Sequence, residues 1–269
     1  MERNQIVIFT LIFFSVFTAC RQKSAGNKPL PAKKSKEITI EQPSSPEKNT
    51  IQKTFKISNQ NADSVLTDYF HKHSERKVKI STKFGDIIVQ LYDDTPLHTA
   101  NFLMLAEKGY FNGTYFDRVV KGFVIQGGSN DDVYTKIKQR EIGKYTIPPE
   151  FKPHRFHKKG AVAMARQYID NPEKRSSPYE FYIVHGTTFS EKELSKIEQK
   201  NQIHFTPQAQ KIYQTIGGAA HLDYQHTVFG EVIEGMDVVE KIAGVPTDKS
   251  DWPKEDIVIT VSIIPGQAK

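Results

Sequence analysis

A chain of 269 residues with 38% hydrophobic and 11% aromatic residues can fill one large or two small cores, which excludes a wholly disordered protein. Its formal net charge of +6 would suit a nucleic-acid binder, but that charge is unevenly placed. Residues 21–56 carry nine Lys/Arg against three Asp/Glu, the first twenty residues cancel, and everything from Ile57 onward balances to zero. The basicity belongs to a leading segment, and nucleic acid is not an expected partner.

The single cysteine, Cys20, excludes a disulfide framework. It stands where the apolar run Ile6–Phe17 ends in small residues, Phe17-Thr18-Ala19-Cys20. That run is short for a membrane span and suits a signal-peptide core. The junction resembles a bacterial lipobox, where cleavage leaves the cysteine as a lipid-bearing N-terminus; an ordinary signal peptide or an uncleaved anchor is the alternative. Either reading predicts export. The lipobox reading makes residues 1–20 a lipoprotein signal peptide and ties the chain through Cys20 to the bacterial cell envelope, at the periplasmic side or the outer membrane. Residues 21–56, rich in Lys, Pro, Ser, Asn and Gln, cannot bury enough to order themselves. They predict a flexible basic tether with an r.m.s. span of roughly 30–36 Å. Its lysines could touch anionic headgroups at about 1 kcal/mol each, although a solvated spacer is the simpler reading.

Residues 57–77 form a short helical extension. Val65, Leu66, Tyr69 and Phe70 recur at helical spacing over Asp63–His71, with Asp63 as the expected N-cap and His71 and His73 as solvated side chains. The folded body covers 78–265. Val78–Thr82 and Asp86–Leu91 flank Lys83-Phe84-Gly85 as a hairpin. Thr95-Pro96 opens a helix that Gly109 ends. Further strands are expected at Val162–Arg166, Phe181–Val184, Thr227–Val232 and Ile257–Ile263, and a second helix at Met236–Ala243. About eight short strands and two helices predict a mainly β fold, a closed eight-stranded antiparallel barrel capped by two helices. Residues 187–217 form a helical insert, in which Ser190-x-x-Glu193 is a capping box and Pro207 opens a second helix.

The stretch Phe116–Gly128, FDRVVKGFVIQGG, reads as two strands bent at Lys121-Gly122 and closed by Gly127-Gly128. Arg118 and Gln126 are polar residues inside it. Taken alone, Arg118 reads as a surface side chain alternating outward, Phe123, Tyr182 and Leu222 read equally well as core, and His226 as a structural histidine. Together with Thr95-Pro96, Asn101-Phe102, Ala163–Arg166, Ser176–Ile183 (SSPYEFYI), His221–Gly230 (HLDYQHTVFG) and the closing EGMDVVEKI, these segments resemble the cyclophilin family of peptidyl-prolyl cis–trans isomerases from about Val78 to Pro265.

The resemblance implies an eight-stranded barrel and isomerisation of X-Pro bonds in polypeptides, with roles for residues at matching positions. Arg118 falls on the catalytic arginine, Phe123 and Tyr182 on aromatic walls of the proline pocket, and Val124 and Leu222 on its aliphatic lining. Gln126 falls on a glutamine that bonds the substrate backbone, and His226 on a histidine at the rim. Ala165 and Arg166 fall on a strand that pairs with the peptide. Glu180 stands where most members carry Gln, beside the catalytic arginine, and is expected to orient Arg118 or to compete for it. Pro178-Tyr179 replaces Gly-Ser, Val124 a Met, and His221 a Trp of eukaryotic members, which implies weak cyclosporin binding.

The chemistry accounts for these residue types. Rotation about an X-Pro bond opposes amide resonance, a barrier of about 18–20 kcal/mol. No bond breaks, so no cofactor or metal is expected. A fixed guanidinium donates to the amide nitrogen more strongly as the amide twists, and an apolar pocket favours the less polar twisted form. The spacing of His154-x-x-His157 alone does not make a metal pair. Two other readings stay open: a peptide-binding or chaperone module without turnover, and an assembly component that works through its insert. A monomer is expected.

Overall fold

The computed structural model describes residues 56–130 and 132–266. The signal peptide, Cys20 and all of the tether but Lys56 lie outside the described residues. In chain order the elements are β1 (Ile57–Ser58), α1 (Ala62–Lys72), β2 (Lys77–Thr82), β3 (Gly85–Leu91), α2 (Pro96–Glu107), β4 (Thr114–Val120), β5 (Val124–Ser129), α3 (Val133–Ile142), β6 (Gly143–Lys144), β7 (Ala161–Met164), β8 (Phe181–Val184), α4 (Glu191–Asn201), α5 (Pro207–Thr215), a 3-10 turn (Ala220–Leu222), β9 (Val228–Glu234), α6 (Met236–Ala243) and β10 (Val258–Ile264).

Eight strands close into one antiparallel barrel in the order β10-β2-β3-β9-β7-β8-β5-β4, with β4 returning to β10. Strand alternation builds its interior. Val78 and Ile80 of β2, Ile87, Val89 and Leu91 of β3, and Ile259 and Val261 of β10 are buried, while their neighbours along each strand are not. Closure leaves no free edge among these strands.

Helix α2 is buried over most of its length. Its start is satisfied from a distance, because Thr95 makes no capping bond and Pro96 has no N–H to satisfy. The Glu150 carboxylate accepts from the backbone N–H groups of Leu97 (3.1 Å) and His98 (3.0 Å), and lies 2.6 Å from His98 Nδ1. A carboxylate at a helix N-terminus is also favoured by the dipole.

Three local expectations need correction. Helix α1 starts at Ala62 with Asn61 as N-cap, so Asp63 sits in the first turn; the fully buried Ala62 belongs to the helix face that packs on the core. Strand β7 ends at Met164, so Ala165 and Arg166 follow it rather than belong to it. Helix α3 was not expected, because Thr135 is its only buried residue and no apolar stripe marks it. Its ends are defined instead by Asp132, which accepts from Tyr134 N, and by Gly143 at φ 141.

In the insert, both bonds of the capping box form at Ser190 and Glu193, and Thr206 caps α5. The two helices enclose an apolar cluster of their own around Tyr213, with Phe156, Leu194, Phe205, Ala209 and Ala220. Among the described residues no helix is long and apolar enough to cross a membrane.

Candidate active site

The site lies on the outer face of the barrel wall, along one rung of paired residues. Arg118 on β4 pairs with Gln126 on β5, Gln126 with Tyr182 on β8, Tyr182 with Ala163 on β7, and Ala163 with Val228 on β9. Residues opposite one another in antiparallel strands share a face. The rung therefore brings Tyr182, from a distant segment, beside Arg118 and Gln126 of one hairpin.

A bulge sets the face on which Arg118 emerges. The register steps from Phe116↔Gly127 to Arg118↔Gln126, leaving Asp117 as the extra residue. Phe116 and Val119 are both buried, three positions apart, which strict alternation forbids. The extra residue flips the parity, and Arg118 comes out beside Gln126 with its side chain 41% exposed. Gly127 is required opposite, because a Cβ there would meet the Tyr115 carbonyl oxygen at 2.5 Å.

Around the rung lies an apolar cluster distinct from the barrel interior. Val124, Ala165, Tyr182, Leu222 and Val228 are buried in it, and Phe123 packs against it from the turn before β5. The Phe123 carbonyl accepts from the N–H groups of His185 and Gly186, both at 3.0 Å, which fixes the turn. Its ring has the His221 ring stacked on one side, with centroids 5.1 Å apart, and the Arg118 guanidinium 5.9 Å from its centroid. A cation at that distance from an aromatic face is attracted to it.

His226 is buried beside Tyr182, ring edge to ring face, with centroids 5.5 Å apart. Its Nδ1 lies 3.1 Å from the Met164 carbonyl, so Nδ1–H donates there and Nε2 accepts from the Tyr168 hydroxyl at 2.8 Å. Burial first, then the neighbouring His157, lowers its pKa to about 3. At neutral pH it is an uncharged, fully bonded ring, and it does not act as an acid near pH 7. Burial raises the Tyr182 phenol well above its ordinary value, so that hydroxyl stays protonated and donates.

Two site expectations change. Glu180 is half-buried and forms no ion pair among the described residues; burial alone raises its pKa. The carboxylate that reaches Arg118 is Asp251, whose Oδ2 lies 3.4 Å from Nη2. Asp251 sits at φ 64 in a turn, and its carbonyl accepts from Val119 N at 2.8 Å. No sequence signal marked it, because its turn lies far along the chain. Ala165 is the second. Its N–H donates to the Glu180 carbonyl at 2.9 Å and its carbonyl accepts from Ser177 N at 2.8 Å, so its backbone is already paired. Arg166 differs. Its guanidinium is tied to the Gln225 carbonyl at 2.7 Å and lies 4.2 Å over the Tyr168 ring, while among the described residues its backbone N–H and carbonyl make no hydrogen bond. His154 and His157 engage separate carboxylates, Asp94 and Asp223.

The profile for cyclophilin type peptidyl-prolyl cis-trans isomerases (the family description adds "CLD") matches residues 77–263. The chain belongs to the cyclophilin family. A relative from Staphylococcus saprophyticus, provisionally named a peptidyl-prolyl cis-trans isomerase, is 33% identical over 187 residues, covering 69% of this chain and 90% of the relative. A Streptococcus pyogenes protein, provisionally named a bifunctional phosphatase/peptidyl-prolyl cis-trans isomerase, is 35% identical over 192 residues, covering 70% of this chain but 38% of that longer protein. A crystal structure of a cyclophilin type isomerase from Cryptosporidium parvum is 22% identical, covers 71% of this chain and 99% of that one, and has a TM-score of 0.49. Membership of this cyclophilin family supports isomerase activity for the chain.

Proposed function

We propose that this cyclophilin accelerates rotation about X-Pro bonds in extended, exported polypeptides, with Arg118 as the catalytic donor and the outer-face cluster as the proline pocket. The observation that carries the reading is the rung that sets Arg118 and Gln126 beside Tyr182, with Phe123 packed against the same cluster. The proline ring rests among Phe123, Val124, Tyr182 and Leu222. Gln126 and the backbone of Arg166 hold the flanking peptide, the latter by adding a strand partner. As the amide twists, its nitrogen gains a lone pair, and the Arg118 guanidinium donates to that region more strongly than in the planar ground state. One charged hydrogen bond is worth roughly 1.5–3 kcal/mol, so pocket desolvation and backbone clamping supply the rest of the rate gain.

In this reading His226 and His221 shape the pocket rim and exchange no proton with substrate. Export and attachment rest on the lipobox-like Phe17–Cys20, with the basic segment 21–56 as spacer and the domain acting on chains folding at the cell envelope.

Isomerisation of an Ala-Pro peptide by the soluble part, wild type against Arg118→Ala, tests the chemistry. The expected loss of kcat/KM is about 10- to 100-fold; equal rates for the two proteins would remove Arg118 from the mechanism, and inactivity of both would remove the enzyme reading. Partitioning into a detergent phase, abolished by Cys20→Ala, tests the anchor.

A further inference from the structure

The pocket wall has a polar back. The Tyr182 hydroxyl points away from the apolar cluster and lies 3.0 Å from His157 Nε2. His157 Nδ1 lies 2.7 Å from Asp223 Oδ1, which also accepts the His157 backbone N–H at 2.9 Å. The other carboxylate oxygen, Oδ2, accepts the Tyr213 hydroxyl at 2.7 Å. With Nδ1–H donating to the carboxylate, Nε2 is the acceptor that Tyr182 needs. Tyr182, His157, Asp223 and Tyr213 are each less than a tenth exposed, so every bond in this chain is shielded from water.

Tyr213 belongs to α5 of the insert, and no other insert side chain bonds to Asp223 among the described residues. Three further bonds tie the insert's surroundings to the same place. The His157 carbonyl accepts from Ala219 N at 2.8 Å, Lys159 N donates to the Gly217 carbonyl at 3.0 Å, and Asn201 Nδ2 on α4 donates to the His221 carbonyl at 3.1 Å. Gly218 permits the approach, because a Cβ there would overlap the His157 carbonyl and the Tyr213 ring. Asp223 directly follows Leu222 of the pocket lining, so the same carboxylate steadies two pocket walls, one through His157 and one through the chain.

We infer that the insert helices are part of the pocket's support: Tyr213, through Asp223 and His157, fixes the orientation of Tyr182, which makes Tyr213, Asp223 and His157 positioning residues for isomerisation. A buried hydroxyl that loses its partner swings toward another or toward water. Breaking the far end of the chain therefore loosens the near end. This inference rests on the reading of Tyr182 as a pocket wall.

A double-mutant cycle on the full-length protein tests it. Tyr213→Phe removes only the hydroxyl and keeps the ring among Phe156, Phe189 and Phe205, whose centroids lie 5.4–5.9 Å away; Tyr182→Phe uncouples the pocket from the network. Each single variant is expected to lower kcat/KM for an Ala-Pro peptide about three- to tenfold, and the double variant to fall no further than the worse single. Because both residues belong to one buried hydrogen-bond chain, their Tm changes are expected to be non-additive as well. The kcat/KM is therefore read well below the Tm of every variant, where a general loss of stability does not lower it. Tyr213→Phe within twofold of wild type, or losses in kcat/KM that multiply in the double variant, would overturn the inference. If Tyr213→Phe does not fold, Asp223→Asn takes its place in the cycle with the same outcomes. The wild-type rate in the same assay reports on the isomerase reading independently of the cycle.

Discussion

Arg118 Nη2 lies 3.4 Å from Oδ2 of Asp251, a turn residue whose own carbonyl is bonded to the strand carrying Arg118. The guanidinium is thus held by a carboxylate outside the rung, at a point where both side chains are about two-fifths exposed. Exposed pairs of this kind contribute about 0.2–1 kcal/mol. Asp251→Asn, which tolerates the left-handed backbone, is expected to lower kcat/KM by about two- to fivefold with little change in KM. A stopped-flow isomerisation assay at low and high salt checks it, and the deficit should shrink as salt screens the wild-type pair.

Glu180 is a half-buried carboxylate with a raised pKa and no ion-pair partner among the described residues. A carboxyl whose folded pKa exceeds its unfolded value stabilises the fold at low pH and penalises it as pH rises through the folded pKa. Glu180→Gln removes that penalty. We expect Tm to rise by about 1–3 °C at pH 8 and by less at pH 4, with isomerase activity within a few-fold of wild type. Calorimetry at the two pH values reads the first effect; a tenfold gain in kcat/KM would show that the charge inhibits turnover.

For His226 the sign is opposite in form. Its pKa is lowered to about 3, so the folded protein keeps the ring neutral where the unfolded chain takes up a proton. Its contribution is present above the ordinary histidine value near 6.5 and is lost as pH falls from there towards about 3. The His226 ring resonances are expected not to shift between pH 5 and 8. A titration midpoint inside that window would contradict the buried, neutral ring.

At Gly127 an added methyl would press on the Tyr115 carbonyl at 2.5 Å and on the Ile259 side chain at 2.9 Å. Overpacking of this sort costs about 1–3 kcal/mol. Gly127→Ala should lower Tm by roughly 2–12 °C and, by disturbing the register at the bulge, reduce kcat/KM more than its stability loss accounts for. Thermal melts and kinetics on the same preparation separate the two effects.

Much of this molecule is legible along the chain. Alternation in Val78–Thr82, Asp86–Leu91 and Ile257–Ile263 is local, and so are the capping box at Ser190, the prolines that open α2 and α5, and the glycine-bounded FDRVVKGFVIQGG. Helix α3 carries no such pattern, because Thr135 is its only fully buried residue and Ile142 at its end packs on the core without an apolar stripe leading to it.

Local chemistry and periodicity are written residue by residue, and from them come the barrel strands and most of the helices, while the set Arg118, Phe123, Gln126, Tyr182, Leu222 and His226 comes from the family resemblance of the motifs that carry it. Partners across the fold are not written that way. Only the tertiary structure decided that a bulge at Asp117 turns Arg118 outward, that Asp251 and not Glu180 reaches it, that Ala165 has its backbone already paired, and that Tyr182 is bonded through His157 and Asp223 to the insert. The physical reason is that strand register and buried hydrogen bonds depend on which distant segments become neighbours, and short-range pattern carries no record of that distance.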